Sequence, residues 1–203
     1  MAATTRHPLT EYQRRRRFDR TAEPSGRSGG SRDPAAGDGL FVIQHHAAST
    51  DHYDFRLEVD GVLKSWAVPK GPSTDPRDRR LAVPTEDHPL DYADFEGTIP
   101  AGEYGGGTVL VWDTGGYTNT TRRGGTAVSM ADGLVRGHVT FRLDGTKLTG
   151  GYALTRFRGG DHEAWLLVKQ DGEGADARRN PVSTQTESVR SGRDLDQIAA
   201  EAR

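Results

Sequence analysis

Polar and apolar residues alternate without interruption along residues 52–59. In a β-strand successive side chains point to opposite faces, so this alternation predicts a strand with an apolar face for a core and a polar face on the other side. The polar face carries His52, Asp54, Arg56 and Glu58. An imidazole, a carboxylate and a guanidinium therefore lie in one row on a single predicted strand.

Strand and turn signals continue over most of residues 40–170. Asp60-Gly61 separates two alternating runs, and this dipeptide is a strong short signal for a β-hairpin. Further strand-like runs are residues 62–68, 108–112, 139–143, 148–154 and 164–169. Many short strands with glycine between them predict a mainly β protein, either an antiparallel sandwich or a closed antiparallel barrel. A barrel also removes exposed strand edges.

Composition divides the chain into three parts. Of 203 residues, 33% are hydrophobic and 28% are charged, and 26 are glycine, which predicts a compact, turn-rich middle with polar ends. We expect a basic arm and flexible Gly/Ser/Pro linker over residues 1–39, one domain over residues 40–170, and a polar tail or linker over residues 171–203. Within the last part, residues 194–202 predict a short helix capped by Asp194.

Charge and cysteine content exclude several classes of function. Lysine and arginine number 27 and aspartate and glutamate number 29, so the overall charge does not indicate a nucleic-acid partner. Residues 12–20 are locally basic and are interpreted either as a solvated terminus or as a contact to nucleic-acid phosphates. Cysteine is absent, which excludes disulfides and thiolate sites. Nothing resembles a signal peptide or a membrane span, so a cytoplasmic location is expected.

The polar row suggests a metal site. Imidazole and carboxylate are common ligands of divalent cations, and we expect His46, in the connection leading into the strand, to join His52 and Asp54 as a third ligand. Arg56 has no lone pair for a metal, but its planar guanidinium suits phosphate oxygens. The row therefore indicates a metal beside a phosphate. The alternative is a surface strand on which Asp54 and Arg56 form an ordinary exposed ion pair.

Other polar residues follow the hairpin. Lys70 and Arg80 can each place a cation near the metal row, although such loop residues are more often solvated. His88 stands among acidic residues, and nearby negative charge favours imidazolium, so a raised pKa is expected that would let it donate to a phosphate or protonate a leaving group. Tyr92 offers a hydroxyl donor. The alternative is a turn in which His88 has no role.

Several well-known motifs are missing. Residues 101–107 are rich in glycine, but no Lys-Ser/Thr pair follows and the next residues predict a strand. The segment is therefore interpreted as a tight turn into a strand and not as a phosphate loop. The chain also lacks G-x-S-x-G, H-E-x-x-H and C-x-x-C, so serine hydrolase, zincin and zinc-ribbon interpretations lose their defining residues.

Long motifs within residues 41–112 resemble the 3′-phosphoesterase module of bacterial DNA ligase D, the end-joining ligase. The first runs from His46 through H-Y-D-F-R-L-E at residues 52–58, and the second is D-G-V-L-K-S-W-A-V-P-K-G-P at residues 60–72. The third is E-D-H-P-L-D-Y at residues 86–92, and the fourth is G-E-Y-G at residues 102–105. The likeness extends into the later strands.

This resemblance implies a fold and a set of site residues. The fold would be a small closed antiparallel β-barrel with short flanking helices and disordered, polar termini. The metal ligands would be His46, His52 and Asp54, with manganese the usual metal; zinc and cobalt stay open because this ligand set does not choose among them. The implied phosphate-binding residues are Arg56, His88, Lys70 and Arg80, and the implied catalytic residues are Arg56, His88 and Tyr92.

The resemblance also implies an activity. The family trims the 3′ ends of DNA, removing a terminal ribonucleoside as a diesterase and then a 3′-phosphate as a monoesterase, to leave a 3′-OH for end joining. The implied partners are DNA or RNA-tipped DNA 3′ ends at a primer-template or a break, a separate ATP-dependent DNA ligase and end-joining factors. Nothing resembles a ligase or polymerase module, so a stand-alone protein or an excised piece is expected, monomeric and in a bacterial or archaeal cytoplasm.

The arm resembles a family segment too. Arg16-Arg17-Phe18 and T-x-E-P at residues 21–24 correspond to a family pattern of Arg-Asp-Phe and T-x-E-P. The resemblance assigns Arg16 and Glu23 to contacts with the 3′ ribose or DNA. Arg17 stands where an acid is usual, which puts the diesterase step in doubt before the monoesterase step.

Two other functions fit the same residues. A DNA-end binding module without catalysis would use the basic groups to hold a 3′-phosphate and the metal as a structural ion. A cupin-like enzyme for a small metabolite would need a further histidine from a later strand, for which His138 is the candidate. A gel assay separates the first from an enzyme, and the metal affinity of a His138 variant tests the second.

Overall fold

The computed structural model describes residues 8–26 and 37–201. Short helices are α1 (Thr10–Arg15), α2 (Met130–Arg136), α3 (Pro181–Thr184) and α4 (Leu195–Glu201), with 3₁₀ turns at Leu90–Asp94 and Gly160–His162. The strands are β1 (Gly39–Ala47), β2 (Asp51–Val59), β3 (Val62–Val68), β4 (Arg80–Pro84), β5 (Gly97–Ile99), β6 (Gly107–Asn119), β7 (Arg122–Arg123), β8 (Thr126–Ala127), β9 (His138–Gly145), β10 (Thr149–Arg158) and β11 (Ala164–Lys169).

Eight of the strands close into an antiparallel barrel, which confirms the fold that the resemblance implies and excludes the sandwich that the strand pattern also allowed. The strand order is β1-β2-β3-β4-β11-β10-β9-β6, and β6 pairs back onto β1. β5 adds to the outside of this ring by pairing with the first residues of β6, and β7 and β8 form a separate two-stranded ribbon. Closure leaves the eight ring strands without a free edge, which is the physical advantage of a barrel over an open sheet.

The predicted turns and strands have the expected backbone geometry. Asp60 and Gly61 both have positive φ, 52° and 79°, as a type I′ hairpin turn between β2 and β3 requires. β6 is longer than the predicted strand of residues 108–112. It continues because Gly115 lets the β9 backbone approach closely: a Cβ at that position would lie 2.0 Å from the carbonyl oxygen of Asp144. The glycine marks close packing and not the end of the strand.

The barrel wall is buried on both sides near β1 and β2. Its inner side faces the main core, which includes Phe55, Trp112 and Phe141. Its outer side is covered by a second apolar cluster that includes Tyr12 and Tyr92. The polar row of β2 therefore faces this covered outer side. Asp54 and Arg56 are 6% and 2% exposed, so the interpretation as an ordinary surface strand is wrong.

The N-terminal arm forms part of the outer cover. Tyr12 in α1 is fully buried, and its hydroxyl donates to the carbonyl of Pro24 at 2.5 Å. Its ring packs against Phe18 and, on the barrel side, against Tyr92. Within residues 8–26 the arm is thus folded onto the wall. The predicted disorder of the termini falls in part on residues 1–7, 27–36 and 202–203, which lie outside the described residues.

The C-terminal segment also contacts the barrel. Ile198 is buried in the main core, Val189 donates its backbone N–H to Val111 (3.0 Å), and the indole of Trp112 donates to Gln185 (2.7 Å). The predicted helix is confirmed as α4, and the Asp194 carboxylate accepts from the backbone of the third residue along at 2.8 Å. The division into arm, domain and tail stays a prediction. No described helix is long and apolar enough to cross a membrane.

Candidate active site

Two adjacent strands carry the candidate metal ligands. The sequence predicts His46 in the connection before β2, but the structure places it within β1, directly opposite His52. The prediction is wrong because β1 and β2 form a hairpin whose connection is only residues 48–50, so the ladder already includes His46. In the same register Gln44 lies opposite Asp54, and all four side chains share the outer face.

His46, His52 and Asp54 fit a divalent cation. One potential ligand atom from each lies within 4.8 Å of the others, the only such group of three among the described residues. Nδ1 of His46 lies 3.6 Å from one carboxylate oxygen of Asp54, and Nε2 of His52 lies 3.7 Å from the other. The opposite ring nitrogens donate to backbone carbonyls, of Gly105 (2.9 Å) and Thr50 (2.8 Å). These bonds leave both inner lone pairs aimed at the carboxylate, as metal-binding imidazoles require.

The carboxylate of Asp54 stays charged in this setting. Burial raises the pKa of Asp54, but the guanidinium of Arg56 outweighs burial and holds the pKa well below its ordinary value. A charged carboxylate is the form that binds a cation.

Hydrogen bonds and a ring contact fix the guanidinium of Arg56. Its Nε donates to the Gln44 amide oxygen (2.8 Å), and Nη2 donates to Asp54 (3.0 Å). Nη1 lies 2.9 Å from Nδ1 of His88, and the guanidinium stands 5.0 Å above the ring of Tyr92. The Gln44 amide in turn donates to the carbonyl of Tyr92 at 3.0 Å. The guanidinium is therefore fixed before any ligand binds, which lowers the entropy cost of binding one.

His88 does not have the expected raised pKa. Burial lowers the pKa of His88 well below its ordinary value, and the guanidiniums of Arg56 and Arg16 lower it further. Nη2 of Arg16 lies 3.1 Å from Nε2 of the ring, so each ring nitrogen faces one guanidinium. His88 is therefore a neutral imidazole, and the expectation of an imidazolium is wrong.

The acids beside His88 are engaged elsewhere. Asp87 accepts a hydrogen bond from the side chain of Lys64 at 2.6 Å and not from His88. Glu86 accepts from Arg16 at 2.8 Å, and its nearest oxygen lies 3.9 Å from the imidazole. Acids next to a histidine in sequence raise its pKa only if their side chains turn toward it, and here the nearest charges are positive.

The arm delivers Arg16 into the site. Its guanidinium pairs with Glu23 and Glu86, both at 2.8 Å, and these side chains are almost fully buried. The hydroxyl of Tyr92 donates to Glu23 at 3.2 Å, so that carboxylate joins the arm to the 3₁₀ turn Leu90–Asp94. Arg17, which stands where the resemblance implies an acid, is exposed.

These groups line one pocket of about 270 Å³. Its lining includes the metal ligands and the cationic pair, with Tyr104 and Glu86 near them; the full set is Arg16, His46, Ala48, His52, Asp54, Arg56, Thr85, Glu86, His88, Tyr92, Ile99, Tyr104 and Gly105. Of the predicted site residues, the pocket brings together His46, His52, Asp54, Arg56, His88, Tyr92 and Arg16. Glu23 lies behind Arg16, with none of its side chain exposed.

Lys70 and Arg80 lie apart from this lining. Lys70 is exposed in the turn after β3, beside the start of β2. Arg80 opens β4, and its guanidinium pairs with Asp78 at 2.8 Å. Their predicted phosphate-binding roles stay predictions. His138, the residue on which a cupin-like site depends, lies on β9, where its Nδ1 is 2.8 Å from the Thr155 hydroxyl, and it is not in the ligand group described above.

Sequence reasoning missed two residues of the pocket region. Gln44 has a usable signal, because it lies two positions before His46 and so shares its face of β1. Tyr104 lies within the G-E-Y-G motif at residues 102–105, but no local pattern predicts that this loop folds back over the site.

On its outer side, the closed antiparallel barrel brings a His/His/Asp group next to two buried guanidiniums, a combination suited to a metal beside a phosphate. Comparison with known families identifies the family. The family model for the DNA ligase D 3′-phosphoesterase domain matches residues 44–156, and the chain belongs to that family. The resemblance in the motifs is thereby confirmed.

Relatives cover much of this chain but only a small part of their own length. The chain is 53% identical over 168 residues to the multifunctional non-homologous end joining protein LigD of Pseudomonas aeruginosa, across 82% of this chain and 19% of that protein. It is 46% identical over 159 residues to LigD of Mycobacterium tuberculosis, a multifunctional non-homologous end joining DNA repair protein. This match covers 78% of this chain and 19% of that protein. The chain thus spans about a fifth of the length of these relatives.

Proposed function

We propose that the protein is a divalent-metal-dependent phosphoesterase that removes phosphate from the 3′ ends of DNA. A second activity would remove a 3′-terminal ribonucleoside and leave a 3′-phosphate. The first activity would then remove that phosphate to give the 3′-OH needed for repair by end joining. The observation that carries the proposal is that the His/His/Asp group and the fixed guanidinium of Arg56 open into one pocket. Membership of the 3′-phosphoesterase family supports it.

His46, His52 and Asp54 would hold the cation, for which we propose manganese, with zinc and cobalt as the alternatives. A bound divalent cation supplies Lewis-acid polarisation of a phosphoryl oxygen. The hydrogen bonds from His46 to Gly105 and from His52 to Thr50 keep the ligands oriented, so the protein does not reorganise when the site fills.

Arg56 and Arg16 would bind the phosphate oxygens. A guanidinium presents its donors in a plane that matches two phosphate oxygens at once. Because Arg56 is already positioned by Gln44 and Asp54, it can stabilise the negative charge that builds on these oxygens as the ester bond breaks. Loss of one such donor typically costs about 3 kcal/mol of transition-state stabilisation.

His88 and Tyr92 would support this binding in different ways. Neutral His88 has one ring N–H, which would leave the Glu86 carbonyl, 2.8 Å from Nδ1, to donate to a phosphate oxygen. Tyr92 places its ring under Arg56 and spends its hydroxyl on Glu23, so we propose that it positions both guanidiniums. Burial raises the pKa of Tyr92 well above its ordinary value, and Glu23 raises it further, so the hydroxyl keeps its proton.

We further propose that the monoesterase activity exceeds the diesterase activity, because Arg17 stands where the family pattern has an acid. The proposed substrates are DNA or RNA-tipped DNA 3′ ends at a primer-template or break. The proposed setting is the bacterial cytoplasm, beside a separate ATP-dependent DNA ligase and end-joining factors, with the protein a monomer.

A gel assay tests the function. Purified protein is incubated with primer-templates that end in a 3′-phosphate or in one 3′ ribonucleotide, with manganese, zinc or cobalt in turn, and with an Asp54→Ala control. Loss of the 3′-phosphate with the wild-type protein but not with Asp54→Ala supports the proposal. A mobility shift of intact primer without any dephosphorylation identifies a DNA-end binding module instead.

A further inference from the structure

One aromatic ring stands at the mouth of the pocket. Tyr104 is 43% exposed and belongs to the pocket lining. Within the described residues, four other large apolar side chains are more than a third exposed, and none of them lines this pocket: Leu81, Val83, Val135 and Phe157. Tyr104 is therefore a partly exposed aromatic ring beside groups suited to phosphate.

The Tyr104 ring is held in a fixed orientation. Its hydroxyl donates to Glu86 at 3.2 Å and accepts a hydrogen bond from Arg15. The guanidiniums of Arg15 and Arg16 lie 4.9 Å and 5.4 Å from the ring centre. A ring that is oriented in advance loses little conformational freedom when a flat ligand packs on it.

The same loop also fixes the distance between the ring and the candidate metal ligands. Gly105, the next residue, accepts the hydrogen bond from His46 at 2.9 Å. Tyr104 is thus one residue from the carbonyl that orients a ligand, and Glu86 ties its hydroxyl to Arg16. Movement of the ring relative to the phosphate-binding groups would break these bonds.

The size of the pocket indicates what reaches the ring. Its volume of about 270 Å³ is at the low end for small-molecule sites, which occupy about 300–1,000 Å³. A phosphate with part of its sugar fills such a space, and the attached base remains at the rim. Nucleobases stack on aromatic side chains regardless of sequence because every base has a π-face.

We propose that Tyr104 forms a nucleobase subsite, in which its ring stacks on the base of the 3′-terminal nucleotide while the phosphate lies against Arg56 and His88. This inference rests on the proposed function. It names the part of the substrate that the phosphate-binding residues do not contact. The subsite accepts any base and is empty when the terminal nucleotide is abasic.

Kinetics with two substrates test the subsite. Tyr104→Ala is compared with the wild-type protein on a 3′-phosphate primer-template with a normal terminal base and on one with an abasic terminal nucleotide. We expect KM for the normal substrate to rise about tenfold, with kcat within about twofold, and KM for the abasic substrate to stay unchanged. Tyr104→Phe keeps the ring and should restore most of the affinity. An equal loss on both substrates would overturn the proposal.

A binding measurement separates this inference from the proposed function. A 2-aminopurine at the primer 3′ terminus loses fluorescence when it stacks, so the wild-type protein and Tyr104→Phe should quench it and Tyr104→Ala should not. Phe157→Ala, which removes an exposed ring outside the pocket, is the matched control and should quench normally. Quenching without turnover keeps the subsite and rejects the phosphoesterase function. Turnover with equal quenching by Tyr104→Ala rejects the subsite alone.

Discussion

Nη2 of Arg16 lies 3.1 Å from Nε2 of His88, although the two residues are 72 positions apart in the chain. The contact joins the N-terminal arm to the turn that follows β4. Together with Arg56 on the other ring nitrogen, it surrounds a buried imidazole with positive charge. The arm is therefore part of the site's electrostatics and not only a cover for the barrel wall.

This contact predicts how stability depends on pH. The pKa of His88 is lowered well below 6.5 by burial and by Arg56 and Arg16, so below pH 6.5 the unfolded chain binds a proton that the folded protein does not. Stability from this group is present above pH 6.5 and is lost as the pH falls, by at most about 1.4 kcal/mol per pH unit. We expect His88→Asn to reduce the fall in Tm between pH 7.5 and pH 5.5.

His45, whose pKa is also lowered by burial, is present in both proteins and cancels from this comparison. If His88→Asn and the wild-type protein lose the same stability over this interval, folding does not shift the pKa of His88, and the lowered pKa described for the folded protein is wrong.

Arg16 should control the charge state of His88. Arg16→Met removes one of the two guanidiniums, so the pKa of His88 should rise toward its ordinary value, which an NMR titration of the imidazole measures. Loss of a charged hydrogen-bond donor at the phosphate should also lower monoesterase activity about tenfold to a hundredfold. Arg14→Met is the matched control, because Arg14 lies on the same arm and pairs with Glu11 at the surface. An unchanged imidazole titration in Arg16→Met would contradict this role.

Arg56 should be the most sensitive position for phosphate chemistry. Arg56→Ala should fold yet lose about 100-fold or more of the rate on a 3′-phosphate primer, since one fixed donor contributes about 3 kcal/mol in the transition state. Circular dichroism checks the fold and a gel assay the rate. Arg122→Ala changes an exposed arginine on the β7 and β8 ribbon and should keep full activity. Turnover by Arg56→Ala within threefold of the wild type would exclude the proposed role.

Metal binding should stabilise the protein through the His/His/Asp group. A ligand at 100 times its Kd adds about 2.7 kcal/mol to the free energy of unfolding, which raises Tm by roughly 5–10 °C for a chain of this size. We expect manganese to produce this rise in the wild-type protein and not in His52→Ala. His138→Ala should keep it, because His138 is bonded to Thr155 and is not in the ligand group. The reverse pattern would favour a cupin-like site.

The sequence predicts those parts of the site that depend on one strand. Alternation along β2 places His52, Asp54 and Arg56 on one face, and Asp60-Gly61 predicts the hairpin that follows. Both signals are local, because side-chain direction and turn type follow from a few consecutive residues. Residue order and spacing therefore predict which residues form the metal group. They do not predict that His46 lies inside the ladder between β1 and β2.

The charge around His88 could not be predicted in the same way. Two acids precede it in sequence, but Asp87 turns to Lys64 and Glu86 pairs with Arg16. Which side chains reach a buried imidazole depends on tertiary packing, and here the decisive cation comes from the arm. The position of that arm in turn depends on the burial of Tyr12, for which a basic segment of sequence gives no clear signal.

The hairpin of β1 and β2 also determines where the chain can change in length. Because Phe55 faces the core and Arg56 faces the pocket, one residue inserted within β2 would exchange the faces of every residue after it. A single insertion there would remove the core and the chemistry together. Residues 48–50 are the nearest place where an insertion leaves both faces in order, so length variation among homologues should be concentrated in that connection.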